Sequence, residues 1–565
     1  MSPENPERLR GYISKIIFNS GESLDINQND IVLFVGPNNA GKSQSLKDIF
    51  TLAKSKMKSI VVSEVIITKT EGSLSALLDA VAVRTEQSDH SNYSMLGTNV
   101  TYRSYFESDF SKSQYFGDFR NFFIANIDTA ARLTICKPPN SIKRTAAKQH
   151  PIHYAAFNGE YRKWLSESFK RAFGVELIPN TQYGSEIPLC IGDSVKLSDS
   201  FEDEQQRLEA YAAILETYKQ VHNQGDGIKS FTGILLYLML DYYCTYLIDE
   251  PESFLHPPQA RIMGQIIGSS LAENQQAFIS THSDEVIKGL LEVCPNRIKI
   301  VRITRENDTN YFSVLDNEQF QEVWSDPLLK YSNIMSSLFH KTVVLCESDA
   351  DCKLYSIIDG HLKNLDGRYS ETLYIHCGGK HRMAKIARAL RALKIEIKLI
   401  PDMDVMNNDV VFQEITEAFG ISWNLIQSDY NTVVSNLHSP KEKVVRNGAK
   451  AMISQILDGA STQYLSSKEI KSIRETISTI SKWDGIKKTG EAAIPAGDAT
   501  VAFKRLKQTL QLHGIYLVPV GELECFIKDI GGHGPEWVND VLEAYPNLDA
   551  PMYDSIKDFI GSINL

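Results

Sequence analysis

The chain has 565 residues, 42% of them apolar and 23% charged, which is the composition of an ordinary folded protein with chain enough for roughly three or four domains. A net charge of −11 excludes a molecule coated in basic surface, though not a local basic patch. No apolar run approaches the ~20 residues of a membrane helix, Met1-Ser-Pro-Glu-Asn-Pro lacks a signal-peptide pattern, and eight cysteines are scattered without CxxC pairs; a reduced, cytoplasmic protein with no membrane partner is expected.

In chain order, a strand from Gly11 to Phe18 precedes a second apolar run, Asp30-Ile-Val-Leu-Phe-Val, which leads directly into Gly36-Pro-Asn-Asn-Ala-Gly-Lys-Ser43 and a helical Gln44 to Phe50. GxxxxGK[ST] between a strand and a helix is a phosphate-binding loop: backbone N–H groups of Gly36, Asn38, Asn39, Ala40 and Gly41 wrap the phosphates, Lys42 reaches the outer ones, and the Ser43 hydroxyl ligates magnesium. ATP with Mg2+ (or Mn2+) is the expected cofactor pair.

Residues 57–68 read as a strand or two, and the polar stretch from Gln87 to Thr101 reads as loop. Helical spacing returns at Glu160 to Phe173 and at Glu202 to Val221, where Leu208, Tyr211, Ala212, Leu215 and Tyr218 share a side. Such a helix either packs on its own domain or serves as a dimerisation arm, placed at about residues 160–222.

Tyr246-Leu-Ile-Asp-Glu-Pro-Glu-Ser-Phe-Leu-His256 is a strand ending in two acids. Asp249 would hold magnesium through water, and Glu250 would polarise the water that attacks a γ-phosphate. A third strand, Ala277 to Thr281, ends at His282, a position from which an imidazole senses the γ-phosphate. Gly36 to Ser43, Asp249-Glu-Pro-Glu252 and Thr281-His282-Ser283 together resemble the ABC-type ATPase heads of the SMC and RecF group. In that group a Ser-Gly signature completes the nucleotide site of a second subunit. The candidate here, Gly225-Asp-Gly-Ile-Lys-Ser230, has Asp226 in place of the serine, with Lys229 or Ser230 as substitutes.

Two further strands (Arg297 to Ile303, Tyr311 to Leu315) and a helical connector ending near His340 lead to an alternation of strand and helix: Thr342 to Glu347, Asp349 to Ile358, Thr372 to His376, Arg382 to Leu393, Ile395 to Ile400. This spacing predicts a small parallel α/β sheet with right-handed connections. Glu347 and Asp351 lie four apart across a strand-to-helix turn and would face one point, while Asp402 and Asp404, two apart in extended chain, project to one side. Ligands gather at the carboxyl ends of parallel strands, so these acids are candidate metal ligands. The bland alternative is helix capping by Ser348 and Asp349.

A strand-end Glu followed two strands later by Asp-x-Asp resembles the Toprim domain. An ABC-type head followed by Toprim resembles the OLD (overcoming lysogenization defect) family of nucleases, which includes subunits of bacterial anti-phage systems. The resemblance implies an ATPase domain at 1–335 and a Toprim nuclease domain, a Rossmann-like parallel sheet, at 336–565 with a helical insert at about 409–510. Val520-Gly-Glu-Leu-Glu524 matches the family's late acidic element, which implies Glu524 as a further metal ligand and Glu522 as its substitute; a late lysine near the scissile phosphate is implied too, with Lys528 and His533 as candidates. Between Ser439 and Leu510 thirteen Lys or Arg face seven Asp or Glu, a net +6 that would hold nucleic acid electrostatically. The expectation is an ATP-controlled, metal-dependent endonuclease acting on DNA in anti-phage defence, a homodimer through its heads or a tetramer, with an added defence subunit as a further partner. The alternatives are the same architecture cutting RNA such as tRNA, and an SMC-like or RecF-like DNA repair ATPase whose Toprim is idle.

Overall fold

The computed structural model describes residues 9–195, 197, 203–315, 333–437, 446–459, 464–466, 469–470, 472–473 and 482–563. Contacts divide the chain into two compact units, residues 1–322 and 323–565, both α/β.

In the first unit Ile31–Val35 is aliphatic or aromatic throughout and buried on both faces, so it can only be a central strand. It lies in a six-stranded sheet whose order is Thr309–Val314, Ile298–Glu306, Ile31–Val35, Gln276–Ser280, Thr245–Asp249, Ile124–Ile127. All neighbours are parallel except the first pair, an antiparallel hairpin. Ser280 stands opposite both Phe34 and Asp249. Three strands therefore finish level, and Gly36, Asp249 and His282 emerge along one edge.

Two stretches differ from the sequence reading. Gln87 to Thr101 is not loop: Ser91–Met95 is the central strand of three, pairing antiparallel with Val83–Glu86 on one side and with Thr98–Tyr102 on the other. Burial alternates along Ser91–Met95, but only Tyr93 and Met95 are apolar there, so the period-2 signal is faint. Leu96 (φ 48°) and Gly97 (φ 81°) form the tight turn, with both central residues left-handed as such hairpins demand.

The 160–222 segment is not a helical arm. Gly159–Phe173 is helical, but Glu176–Pro179, Leu189–Gly192 and Lys219–Gln220 build a three-stranded antiparallel sheet, and the second helix covers only Glu204–Glu216. Of its expected apolar side Leu215 is buried, Leu208 is exposed, and Tyr218 lies past the helix end, its hydroxyl donating to the Asp193 carbonyl at 2.8 Å. The first helix packs on its own unit through Phe169 and Phe173, stacked with centroids 4.4 Å apart, each meeting Phe231 edge-on.

In the second unit Thr342–Cys346 is flanked by Thr372–His376 and Glu396–Ile400, all parallel and in level register. Beneath them Tyr355 of helix Asp349–Leu365 packs with Trp537 and Tyr553 of the C-terminal segment. The insert contributes helices Asp409–Ala418, Trp423–Leu437, Arg446–Asp458, Lys482–Thr489 and Asp498–Leu512. Trp423 meets Phe412 and Tyr430; the Trp483 side chain and much of the basic stretch 439–481 lie outside the described residues. After the insert the chain re-enters beside the sheet: Leu399 pairs with Ile515, Tyr516 N–H donates to Leu399 O, and Met403 N–H donates to Gly521 O. That return brings Glu522 next to Asp402. No described helix is long and apolar enough to cross a membrane.

Candidate functional site

The Gly36–Ser43 loop is shaped by close approaches that only glycine permits. A Cβ at Gly36 (φ 139°) would sit 2.1 Å from Ile303 O, and one at Gly41 (φ 100°) would sit 2.8 Å from the Val61 side chain. Asn310, which carried no signal in the sequence, anchors the loop by donating to Ala40 O at 2.7 Å while pairing with Asn19. Asn38 and Asn39 are exposed at the loop's tip. Lys42 is folded onto its own loop, donating to Gly36 O (2.9 Å) and Pro37 O (2.7 Å). Burial pulls its ammonium down to about 8, against the opposing pull of Glu250, Glu252 and Asp249. A polyphosphate entering here would replace those two carbonyls as the partner of Lys42.

Across the sheet edge, the Ser280 hydroxyl donates to Asp249 Oδ1 and Glu250 N–H donates to Ser280 O. Glu250 has a left-handed backbone (φ 47°), uncommon outside glycine and characteristic of functional turns. His282 Nε2 lies 3.8 Å from Glu250 Oε1. Two residues outside the expected set hold this arrangement. Glu252 accepts from His282 N–H at 2.6 Å and from the Thr281 hydroxyl at 2.9 Å, tying the histidine loop to the acidic one. Arg132, fully buried, donates to Asp249 O at 2.6 Å. Asp249, Glu250, Lys42 and His282 are thus brought together, as the motif spacing requires. In the candidate signature, helix Asp226–Leu238 starts after Gly225, Lys229 pairs with Asp226 at 2.7 Å, and Ser230 is fully buried; burial removes Ser230 as a substitute contact to a second subunit.

In the second unit Glu347, Asp402 and Asp404 converge, with one carboxylate oxygen from each within 4.8 Å of the others. Glu347 Oε2 is buried and, among the described residues, accepts no hydrogen bond. Burial, then the proximity of Glu347, Asp351 and Asp404, lifts Asp402 well above the carboxylate range; burial and then Asp404 lift Glu347. Like charges packed around an unpartnered acceptor suit a divalent cation, whose preferred ligands are carboxylate oxygens.

Glu524 does not join this set. It stands with Glu522 and His533, whose ligand atoms form a second group within 4.8 Å. The sequence reading offered Glu522 and Glu524 as substitutes for one another and His533 as a neighbour of phosphate, whereas the fold uses all three together. Two carboxylates and an imidazole are likewise a fitting donor set for a divalent ion.

Asp351, expected to face the same point as Glu347, lies close enough to act on Glu347 and Asp402 electrostatically, but one of its oxygens is committed to its own turn. Its Oδ2 accepts from the Ser348 N–H (2.8 Å) and hydroxyl (3.0 Å) in a capping box at the start of helix Asp349–Leu365. Burial raises it to about 6, and Glu524 adds to the shift. It therefore lies beside both sets, with its Oδ2 committed to the cap.

Sequence reasoning also missed the cations. Lys380 Nζ is 3.1 Å from Asp404 Oδ1. Lys487 Nζ is 3.4 Å from Asp404 Oδ2 and 3.6 Å from Glu522 Oε2, so it links the two sets, and their facing oxygens are no farther apart than the sum of those distances. Although burial works against its charge, Asp404, Glu522 and Asp402 hold the Lys487 ammonium above its ordinary value. Lys487 belongs to the insert helix Lys482–Thr489, which docks on the returning chain through glycines: a Cβ at Gly490 (φ 60°) would meet Pro519 O at 2.0 Å, and one at Gly521 (φ 108°) would meet Lys487 O at 2.2 Å. Its only trace in the sequence is membership of the basic segment. Lys528 is exposed, and no described ion pair joins it to either set.

The chain matches a family model described as an AAA domain, putative AbiEii toxin, type IV toxin–antitoxin system, over residues 191–288. The Old nuclease of Escherichia phage P2 is 20% identical over 328 residues, covering 55% of this chain and 49% of that protein, so the chain spans about half the length of this curated relative. Similar solved structures include an SMC head bound to the C-terminal winged-helix domain of ScpA (TM-score 0.32, 11% identical, 55% of this chain and 100% of that one) and the SMC head domain from Thermotoga maritima (TM-score 0.29, 14%, 55% and 99%). The match to the phage protein bears out the OLD-type kinship read from the motifs.

Proposed function

From this OLD-type ATPase–nuclease kinship, we propose that the chain is an ATP-controlled endonuclease whose second unit is a Toprim domain cutting DNA with two divalent ions. The observation that carries the reading is the pair of ligand sets bridged by Lys487. Glu347, Asp402 and Asp404 would hold one ion, Glu522, Glu524 and His533 the other. Ions so held supply an activated water and a charge to steady the leaving oxygen. Lys487 faces the interval where a phosphodiester would lie and would neutralise the charge that builds on it. Lys380 orients Asp404 through their ion pair, and Asp351 fixes the turn that carries Glu347.

In the first unit Lys42 and the loop amides would bind the nucleotide phosphates, Ser43 and Asp249 would hold magnesium, Glu250 would orient water, and His282 would read the γ-phosphate. Pairing of two such heads in a homodimer would let nucleotide state control cutting, because a ligand shifts an equilibrium only through its different affinity for the two states. A role in anti-phage defence follows from the kinship alone.

The test is incubation of the purified protein with duplex DNA and with tRNA, in Mg2+ and in Mn2+, with and without ATP, alongside Asp402→Asn and Lys42→Ala. Metal-dependent DNA cleavage lost in Asp402→Asn supports the reading. Cleavage of tRNA alone would move it to the RNA-cutting alternative. ATP hydrolysis with neither nucleic acid cut would favour a repair-type ATPase with an idle second unit.

A further inference from the structure

The two ligand sets differ in chemistry. Glu347, Asp402 and Asp404 offer oxygen only, are at least half-buried and surround the unpartnered Glu347 Oε2. That is a site for a hard, strongly hydrated ion such as Mg2+. Glu522, Glu524 and His533 add an imidazole nitrogen, and the third member sits at the surface, with 83% of its side chain exposed.

The ring's ordinary duties do not account for its placement. His533 is the residue preceding helix Gly534–Ala544, yet its side chain makes no capping hydrogen bond; that end is served by Glu524, which accepts from Gly534 N–H at 3.0 Å. Nor is the ring packed in a core. Its Nδ1 stands 3.7 Å from Glu524 Oε1, too far for a good hydrogen bond and suited to two ligands with an ion between them. On the other side Glu522 leans on Lys487, which also touches the oxygen-only set.

We propose that the second unit is a mixed-metal centre: the oxygen-only set takes Mg2+, and Glu522, Glu524 and His533 select a first-row transition dication over Mg2+, with His533 as the discriminating ligand. The physical ground is ligand softness. Imidazole gains little with Mg2+ but strengthens binding of transition ions. The assignment rests on the metal-dependent reading above.

The experiment uses the full-length protein and Mn2+ as probe, with binding read by electron paramagnetic resonance in the presence of millimolar Mg2+. The parent should retain one tightly bound Mn2+ whose pulsed spectrum carries coupling to one imidazole 14N. His533→Ala, at an exposed position where folding is not at stake, should lose the nitrogen coupling and weaken Mn2+ binding at least tenfold. Asp402→Asn should retain the coupling while Mg2+ binding, followed calorimetrically, loses one site. A parent that binds Mn2+ without nitrogen coupling, or a His533→Ala protein with unchanged Mn2+ affinity, would overturn the mixed-metal assignment and leave the nuclease reading standing. A folded parent that binds no divalent ion in this unit would overturn both.

Discussion

Glu252 shows how one side chain makes two loops act as a unit. Its carboxylate holds the backbone of His282 and the hydroxyl of Thr281, and so fixes the 3.8 Å separation of His282 from Glu250. Glu252→Ala is expected to lower the turnover of ATP hydrolysis about tenfold, roughly 1.4 kcal/mol of transition-state stabilisation, with the KM for ATP within about twofold of the parent, because phosphate binding resides in the Gly36–Ser43 loop. Glu252→Gln, which keeps an acceptor for His282 N–H, should recover most of the loss in steady-state assays. A second residue-scale prediction concerns pH. His150 precedes helix Pro151–Phe157 and accepts from Ile152 N–H at 3.2 Å through Nδ1; burial, then His153, pull it from 6.5 down to about 4. The folded state thus prefers the neutral ring, so its contribution is complete above pH 6.5 and is lost as pH falls towards 4, on the order of 3 kcal/mol. In denaturant melts, His150→Asn should keep the cap and flatten the stability profile between those pH values.

At the scale of elements, the insert helix Lys482–Thr489 decides whether Lys487 reaches the acids. It lies on the returning chain through Gly490 and Gly521, positions with left-handed backbone and carbonyls about 2 Å from where a Cβ would be. Gly490→Ala should cost about 1–3 kcal/mol in a thermal melt and reduce nucleic-acid cleavage, while ATP hydrolysis is retained. Elements made of consecutive buried aliphatics, such as Ile31–Val35 and Thr342–Cys346, are plain in the sequence, because a strand buried on both faces leaves no other reading. The strands at 91–102 are not, because their polar residues obscure the alternation, and the helix ends at Glu216, short of Tyr218, because Tyr218 lies in the bend after it with its ring against Gly192.

At the scale of the whole molecule, the two candidate sites belong to separate compact units, so their ligand binding should be separable by mutation. Lys42→Ala is expected to abolish ATP hydrolysis and leave divalent-ion binding by the second unit unchanged in calorimetry; Asp402→Asn should keep ATP hydrolysis and lose one of the second unit's divalent-ion sites. The sequence by itself determined the α/β class, the phosphate-binding loop with its partners Asp249, Glu250 and His282, the Glu347, Asp402 and Asp404 triad, and the kinship with OLD-type proteins. Each of these is carried by short spacings at the ends of apolar strands, and such spacings survive translation from chain to fold. Only the tertiary structure decided that Glu524 stands with Glu522 and His533, that Asp351 is a helix cap, that Glu252 and Asn310 brace the nucleotide edge, and that Lys487 links the acids. Several of those contacts join positions far apart, Asn19 and Asn310 by nearly 300 residues, and no local pattern encodes which distant side chain completes a site. The Ser348–Asp351 cap and the Glu522, Glu524 and His533 set are close in sequence, but only the turns between them decide which oxygens and nitrogens face one another.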